Sequence, residues 1–295
     1  MTLIWGTNFS IVKFAFLEMD PQAFNAVRMV IASAVFIVLM KVMPGRSASD
    51  IFHTPAAITP HDWRVIAGLG VVGHFFYQFF FVGGLAQTTV ANSSLMLSAT
   101  PVVIAILSAA LGQDRIAPLH WFGALLSLVG IYIVVGRGSS LGVATWRGDL
   151  MMFGAVVCWA IYTLGSRRLM ERHSPVGVTG LSMAIGTVLY VPVMIPNLLK
   201  TDWASIGAWT WVALVYSSLF ALCVAYTIWY VAVRAIGSAR TAVYSNVVPI
   251  VAMLTAIVFL GERLTRAKAM GAAAVLVGVA LTRIGRRTPA IPPEE

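Results

Sequence analysis

The sequence is short of charge. Of its 295 residues only 11% are Asp, Glu, Lys or Arg, whereas soluble domains carry about a quarter. With 59% hydrophobic residues and a mean hydropathy of +0.86, the chain cannot cover a surface that faces water. A soluble enzyme or a soluble binding domain is excluded, and a polytopic chain lying mostly within a bilayer is expected. Acids are scarcer than bases, eleven against twenty. Every acid falls at the end of an apolar run, in a connection or in the tail. No carboxylate is left at mid-membrane depth, where proton-driven carriers usually place a titratable group. Two cysteines, Cys158 and Cys223, both sit inside apolar runs. They match no metal or redox spacing and read as buried free thiols. No glycine-rich nucleotide loop is present, so neither ATP nor any other cofactor is expected. The first apolar run has no small-residue cleavage site, which argues against a cleaved leader, and its abrupt start suggests that a few cytoplasmic residues precede it.

What the chain has in abundance is apolar length. Ten segments stand out: 2–19, 22–43, 62–87, 91–112, 117–136, 149–170, 175–198, 207–234, 239–261 and 267–285. Each is long enough to cross about 30 Å of hydrocarbon as a helix. The net charge of +9 would suggest nucleic acid in a soluble protein. Here the basic residues flank apolar runs, so no nucleic-acid partner is expected and the charges set orientation. With the N-terminus inside, twelve Lys and Arg face the cytoplasm and six face out, Lys13 and Arg28 lying within segments. Both termini are therefore placed in the cytoplasm.

The segments repeat. At an offset of 154, Trp5 meets Trp159 and Pro21 meets Pro175. At an offset of 148, Trp63 meets Trp211, Pro101 meets Pro249, Gly123 meets Gly271 and Gly130 meets Gly278. One change of length after the second segment reconciles the two offsets. The expected fold is therefore an all-α integral membrane protein of ten helices, built as two repeats of five. The first repeat spans 1–137, a connecting loop 138–148, the second repeat 149–287 and a tail 288–295. Five is odd, so the second repeat is inverted relative to the first. That architecture suits alternating access and points to a transporter.

Candidate transport residues are polar or aromatic groups at depth. In the third segment, "GHFFYQFFFVGG" (73–84) puts His74, Tyr77, Gln78 and Phe81 on one helix face. They read as a cavity wall; the alternative is a helix–helix contact in which His74 and Gln78 satisfy neighbours. At offset 148, Gln78 meets Tyr226. Pro101 and Pro249 lie mid-segment in "SATPVV" and "NVVPIV", where a proline frees the carbonyl four residues back, at Leu97 and Ser245. Ser98, Thr100 and Asn246 beside them are candidate substrate contacts, and a simple structural kink is the alternative. Asn8, Trp159, Tyr162, Thr163, Tyr226 and Tyr244 complete the candidates. Trp5 is expected at the membrane interface, and Lys13 and Arg28 are expected to snorkel to the outer surface. Of these groups only His74 could titrate at midplane, so a facilitator is favoured over proton coupling through that residue. Glycines at spacings of three or four in the fifth and tenth segments read as close helix contacts, within the bundle or in a weak homodimer; a monomer is equally compatible.

Ten segments, the inverted repeat, the early "WGTNF", the "TPVV" of the fourth segment and the "GE" at 261–262 resemble the drug/metabolite transporter superfamily, EamA type. Within it, the chain is most similar to bacterial exporters of aromatic and neutral amino acids. The resemblance implies an inner-membrane exporter with cytoplasmic termini and a central cavity lined by both halves. The chain departs at 247–250, "VVPI" against "ATPV" at 99–102, so Val248 cannot supply the hydroxyl of Thr100. A cavity of Phe, Tyr and Trp with His, Gln and Asn suits a zwitterion with an apolar side chain. Export of hydrophobic drugs or cationic dyes is the other carrier reading. An integral-membrane lipid enzyme is the reading from another class; it would need a catalytic constellation that His53, His61 and Asp62 do not supply.

Overall fold

The computed structural model describes residues 1–43, 51–52, 54, 56–110, 118–138, 146–236, 241, 245 and 247–284. Among them there is no strand. The helices are α1 (Thr2–Ala15), α2 (Pro21–Val42), α3 (Pro60–Gln87), α4 (Val90–Leu97), α5 (Thr100–Ala110), α6 (Pro118–Gly138), α7 (Trp146–Arg172), α8 (Pro175–Val193), α9 (Ile195–Lys200), α10 (Ala208–Ala235), α11 (Val247–Leu260) and α12 (Arg266–Ile284). Five of them, α2, α3, α7, α8 and α10, are long and apolar enough to cross a membrane. The chain is an all-helical, multi-pass membrane protein.

Local sequence sets where these helices begin. Asp20 accepts from the backbone N–H groups of Gln22 and Ala23, with Pro21 in the first turn of α2. Thr59 and Asp62 form a reciprocal capping box at the start of α3, again with a proline next in line. Thr89 caps α4 through Asn92 N–H, and Ser174 caps α8 through Gly177 N–H. Each cap satisfies donors that lipid could not.

Two helices depart from α geometry at matching places. In α3 a π-helical stretch covers Val71–Phe76, and the N–H of Tyr77 reaches Val72 O. In α10 a π-helical stretch covers Ser217–Val224, and the N–H of Ala225 reaches Phe220 O. Tyr77 and Ala225, like Val72 and Phe220, stand 148 residues apart. Such turns often mark functional positions.

The fourth segment is not one kinked span. It breaks into α4 and α5, because Pro101 cannot donate to the carbonyl of Leu97. That carbonyl is not left free as expected: Thr100 Oγ1 donates to it at 2.7 Å. Ser245 O likewise accepts from Val248 N–H at 3.0 Å. The first helix ends at Ala15, short of the expected 19.

Helices α6 and α12 pack through a reciprocal glycine contact. A Cβ built on Gly130 would lie 2.8 Å from Gly271 O, and one on Gly278 would lie 2.5 Å from Gly123 O. Only hydrogen fits at either place. Both glycines are thus used inside the chain.

Candidate functional site

A central cavity lies between α1, α2, α3, α4, α7, α10 and α11. It holds about 750 Å³ of empty space, part of it continuous with the surroundings. Trp5, Tyr77, Trp159, Tyr226 and Trp229 form its aromatic wall. Trp5 and Trp159 meet edge-on at 5.9 Å between centroids, and Trp159 meets Tyr77 at 5.1 Å and Tyr226 at 5.3 Å. Phe9, Phe81, Leu97 and Leu222 add apolar surface, while Asn8, Arg28, Gln78, Ser94, Ser98, Thr100 and Ser245 supply polar groups.

The π-helical turns position part of this wall. Tyr77 and Gln78 follow the turn in α3, and Tyr226 follows the one in α10. Gln78 Nε2 donates to Tyr226 OH at 3.5 Å, a long bond between residues that correspond at offset 148.

Arg28 lies inside the protein. It was expected to snorkel outward, yet it is 1% exposed. Nη1 donates to Ser217 Oγ at 2.9 Å; Nη2 donates to Asn25 Oδ1 at 2.7 Å and to Gln78 Oε1 at 2.6 Å. Three acceptors, from α2, α3 and α10, hold the guanidinium inside the bundle. Lys13 does not snorkel either. Its Nζ donates to the carbonyls of Leu85, Ala86 and Thr88 at 2.7–2.9 Å, capping the C-terminal end of α3. A cation there meets the negative end of the helix dipole.

Among the expected residues, Asn8, Tyr77, Gln78, Phe81, Ser98, Thr100, Trp159, Tyr226 and Pro249 are brought together at the cavity. Pro101, Tyr162 and Thr163 are not among its lining residues. Tyr244 and Asn246 lie outside the described residues. His74, expected on the wall, lies behind it. The ring is fully buried, and its Nε2 is 3.1 Å from Tyr162 OH. Tyr162 OH in turn is 3.0 Å from Ser182 Oγ, which donates to Val178 O at 2.8 Å. The π turn Val71–Phe76 aims His74 at α7 and α8, while the residues that follow the turn reach the cavity. Gly186 of α8 presses on it: a Cβ there would sit 2.4 Å from His74 Cβ.

The sequence reading missed Trp5 and Arg28 as wall residues. Trp5 was assigned to the interface because it begins its helix. Its Nε1 instead donates to Ala221 O at 3.0 Å, which turns the indole inward. Arg28 carried a usable signal: a charge near the middle of an apolar span is costly and calls for a partner. Trp229 also lines the cavity. No group of three metal-ligating side chains occurs among the described residues, and Cys158 and Cys223 are buried free thiols.

Comparison with known proteins agrees with this architecture. The EamA-like transporter family model matches residues 1–136 and 146–284. The uncharacterized transporter YyaM of Bacillus subtilis is 25% identical over 281 residues, covering 94% of this chain and 89% of its own. A probable amino-acid metabolite efflux pump of Salmonella typhimurium is 21% identical over 297 residues, covering 97% and 93%. A solved crystal structure aligns with a TM-score of 0.67 at 23% identity over 97% of this chain and 96% of its own, a likeness of fold. The chain belongs to the EamA-like transporter family.

Proposed function

We propose that this chain exports amino acids, aromatic and neutral ones preferred, across a bacterial inner membrane by alternating access. The observation that carries the reading is the cavity itself, an aromatic box with polar atoms that lack partners. Asn8 Oδ1, Arg28 Nε and Trp229 Nε1 are buried and unbonded among the described residues. Together they offer one acceptor and two donors beside apolar walls, which matches a zwitterion with an apolar side chain. The relatives named as probable amino-acid metabolite efflux pumps support the same class.

Two inverted repeats of five spans are part of this reading. The π turns and the reciprocal glycine contact recur at offset 148, and so do the prolines Pro101 and Pro249 in the sequence. The contact of Gly130 with Gly271 is answered by that of Gly278 with Gly123, as a two-fold relation requires. Ser33 and Thr187, 154 residues apart, share a hydrogen bond of 2.8 Å, as residues on such an axis would. The excess of basic residues on one side supports cytoplasmic termini. A facilitator is favoured, since among the described residues no Asp or Glu lines the cavity and His74 lies behind its wall. The same lack of a carboxylate disfavours the alternative cargo of cationic dyes.

Uptake of labelled phenylalanine into proteoliposomes tests the proposal. Saturable uptake with no pH gradient is the expected outcome. Uptake that appears only with the gradient would overturn the facilitator reading, and absence of uptake in both would overturn the amino-acid reading.

A further inference from the structure

We infer that Arg28 is the anion-recognition residue of the cavity, binding the carboxylate of a substrate that carries a single negative charge. The inference deepens the proposed function and rests on the same cavity. Burying a guanidinium at this depth is expensive unless a charge or an equivalent set of dipoles meets it. The groups that meet Arg28 are all neutral: a serine hydroxyl and the carbonyl oxygens of two amide side chains. Among the described residues both ion pairs end on Asp62, from Arg172 and His173, and neither involves Arg28. Its Nε finds no acceptor. The charge is oriented by side chains of three helices and, among the described residues, neutralised by none.

A structural arginine would normally have its donors filled. This one keeps a donor in reserve, and among the described residues no other charged side chain lines the cavity. A carboxylate entering there forms a charge-assisted bond and removes the net charge, so the guanidinium is stabilised when the carrier is loaded. One cation suits one negative charge, which favours a carboxylate over a dianionic phosphate. Asn8 Oδ1, also without a partner, is an acceptor for an ammonium group but is not needed for the anion. The aromatic wall takes the apolar part. The predicted order of binding is therefore set by the anion: phenylalanine and 3-phenylpropanoate bind, and 2-phenylethylamine does not.

The test is binding of those three compounds to the purified full chain, read by tryptophan fluorescence and by calorimetry, for wild type, Arg28→Lys and Arg28→Gln. Wild type should bind both carboxylates and ignore the amine. Arg28→Gln should weaken both carboxylates about 10- to 100-fold, and Arg28→Lys should lie between. Size-exclusion profiles and melting curves report whether each variant is folded. If Arg28→Gln does not fold, wild-type preference for 2-phenylethylamine over 3-phenylpropanoate still overturns the inference. Equal carboxylate affinity in folded wild type and Arg28→Gln would also overturn it, as would binding of none of the three. Binding of 3-phenylpropanoate without transport of phenylalanine would sink the amino-acid reading and leave the role of Arg28 intact.

Discussion

Two basic side chains are buried near the middle of this protein, and their surroundings differ in kind. His74 is tied into a chain of hydroxyls, Tyr162 and then Ser182, that ends on the carbonyl of Val178. Arg28 is held by Asn25, Gln78 and Ser217, and it lines the cavity. Ser182 stands 154 residues after Arg28, the offset at which Pro21 meets Pro175. At position 182 a small hydroxyl closes its bonds among helices. At position 28 a guanidinium lines the cavity. A buried polar cluster that ends on backbone reads as architecture; one that ends on an unneutralised charge reads as a site. His74 Nδ1 also lacks a partner, but a neutral imidazole nitrogen is far cheaper to leave unbonded than a charge.

The sharpest way to break the closed cluster is to overfill it. A Cβ on Gly73 would lie 2.3 Å from the Tyr162 ring, so Gly73→Val should displace that tyrosine from His74. A loss of about 3 kcal/mol is expected, seen as a steep fall in melting temperature. On the open cluster, Gln78→Leu removes one acceptor from Arg28 and the bond to Tyr226. It should cost about 2 kcal/mol and lower phenylalanine transport by about tenfold. Tyr162→Phe takes the hydroxyl from both His74 and Ser182 and should cost about 1 kcal/mol, with transport rates kept near wild type. His74→Leu should leave transport and its pH profile unchanged, and a lost pH response in proteoliposomes would instead return His74 to the transport path.

The smallest effect is expected far from both clusters. Glu18, in the connection between α1 and α2, accepts from Thr210 Oγ1 at 2.7 Å and Gly207 N–H at 2.9 Å. Those bonds hold its carboxyl below the usual glutamate range, the Thr210 hydroxyl contributing most. A carboxyl depressed by folding adds stability above its unfolded value and loses it as pH falls through the folded one. Melting temperature should therefore decline on acidification below the glutamate range, and Thr210→Val should reduce that decline.

Much of the fold was readable because a bilayer leaves the chain few choices. Apolar length gave the helices, and the caps at Asp20, Thr59 and Ser174 stand where the segments begin. The aromatic wall was partly readable too, through Tyr77, Trp159 and Tyr226. The faces of α3 were not. Helical spacing put His74 on the same face as Gln78, but the π-helical turn Val71–Phe76 adds a residue between them and separates their surroundings. No side-chain pattern announces such a turn. Arg28 was misplaced for a different reason. Snorkelling is the usual escape for a long cation, and nothing in sequence said that Ser217, on a distant segment, would be there to hold it.

The two π-helical turns also carry a mechanical meaning. Each stores one residue beyond what an α-helix needs over the same length. Relaxing either to α geometry would turn the remainder of its helix by about 100° and slide it by about 1.5 Å. Gln78 lies just past the first turn and Tyr226 just past the second, so either relaxation would carry one of the bonded pair off the cavity wall. Two of the helices that line this cavity are thus built like a screw with one spare thread.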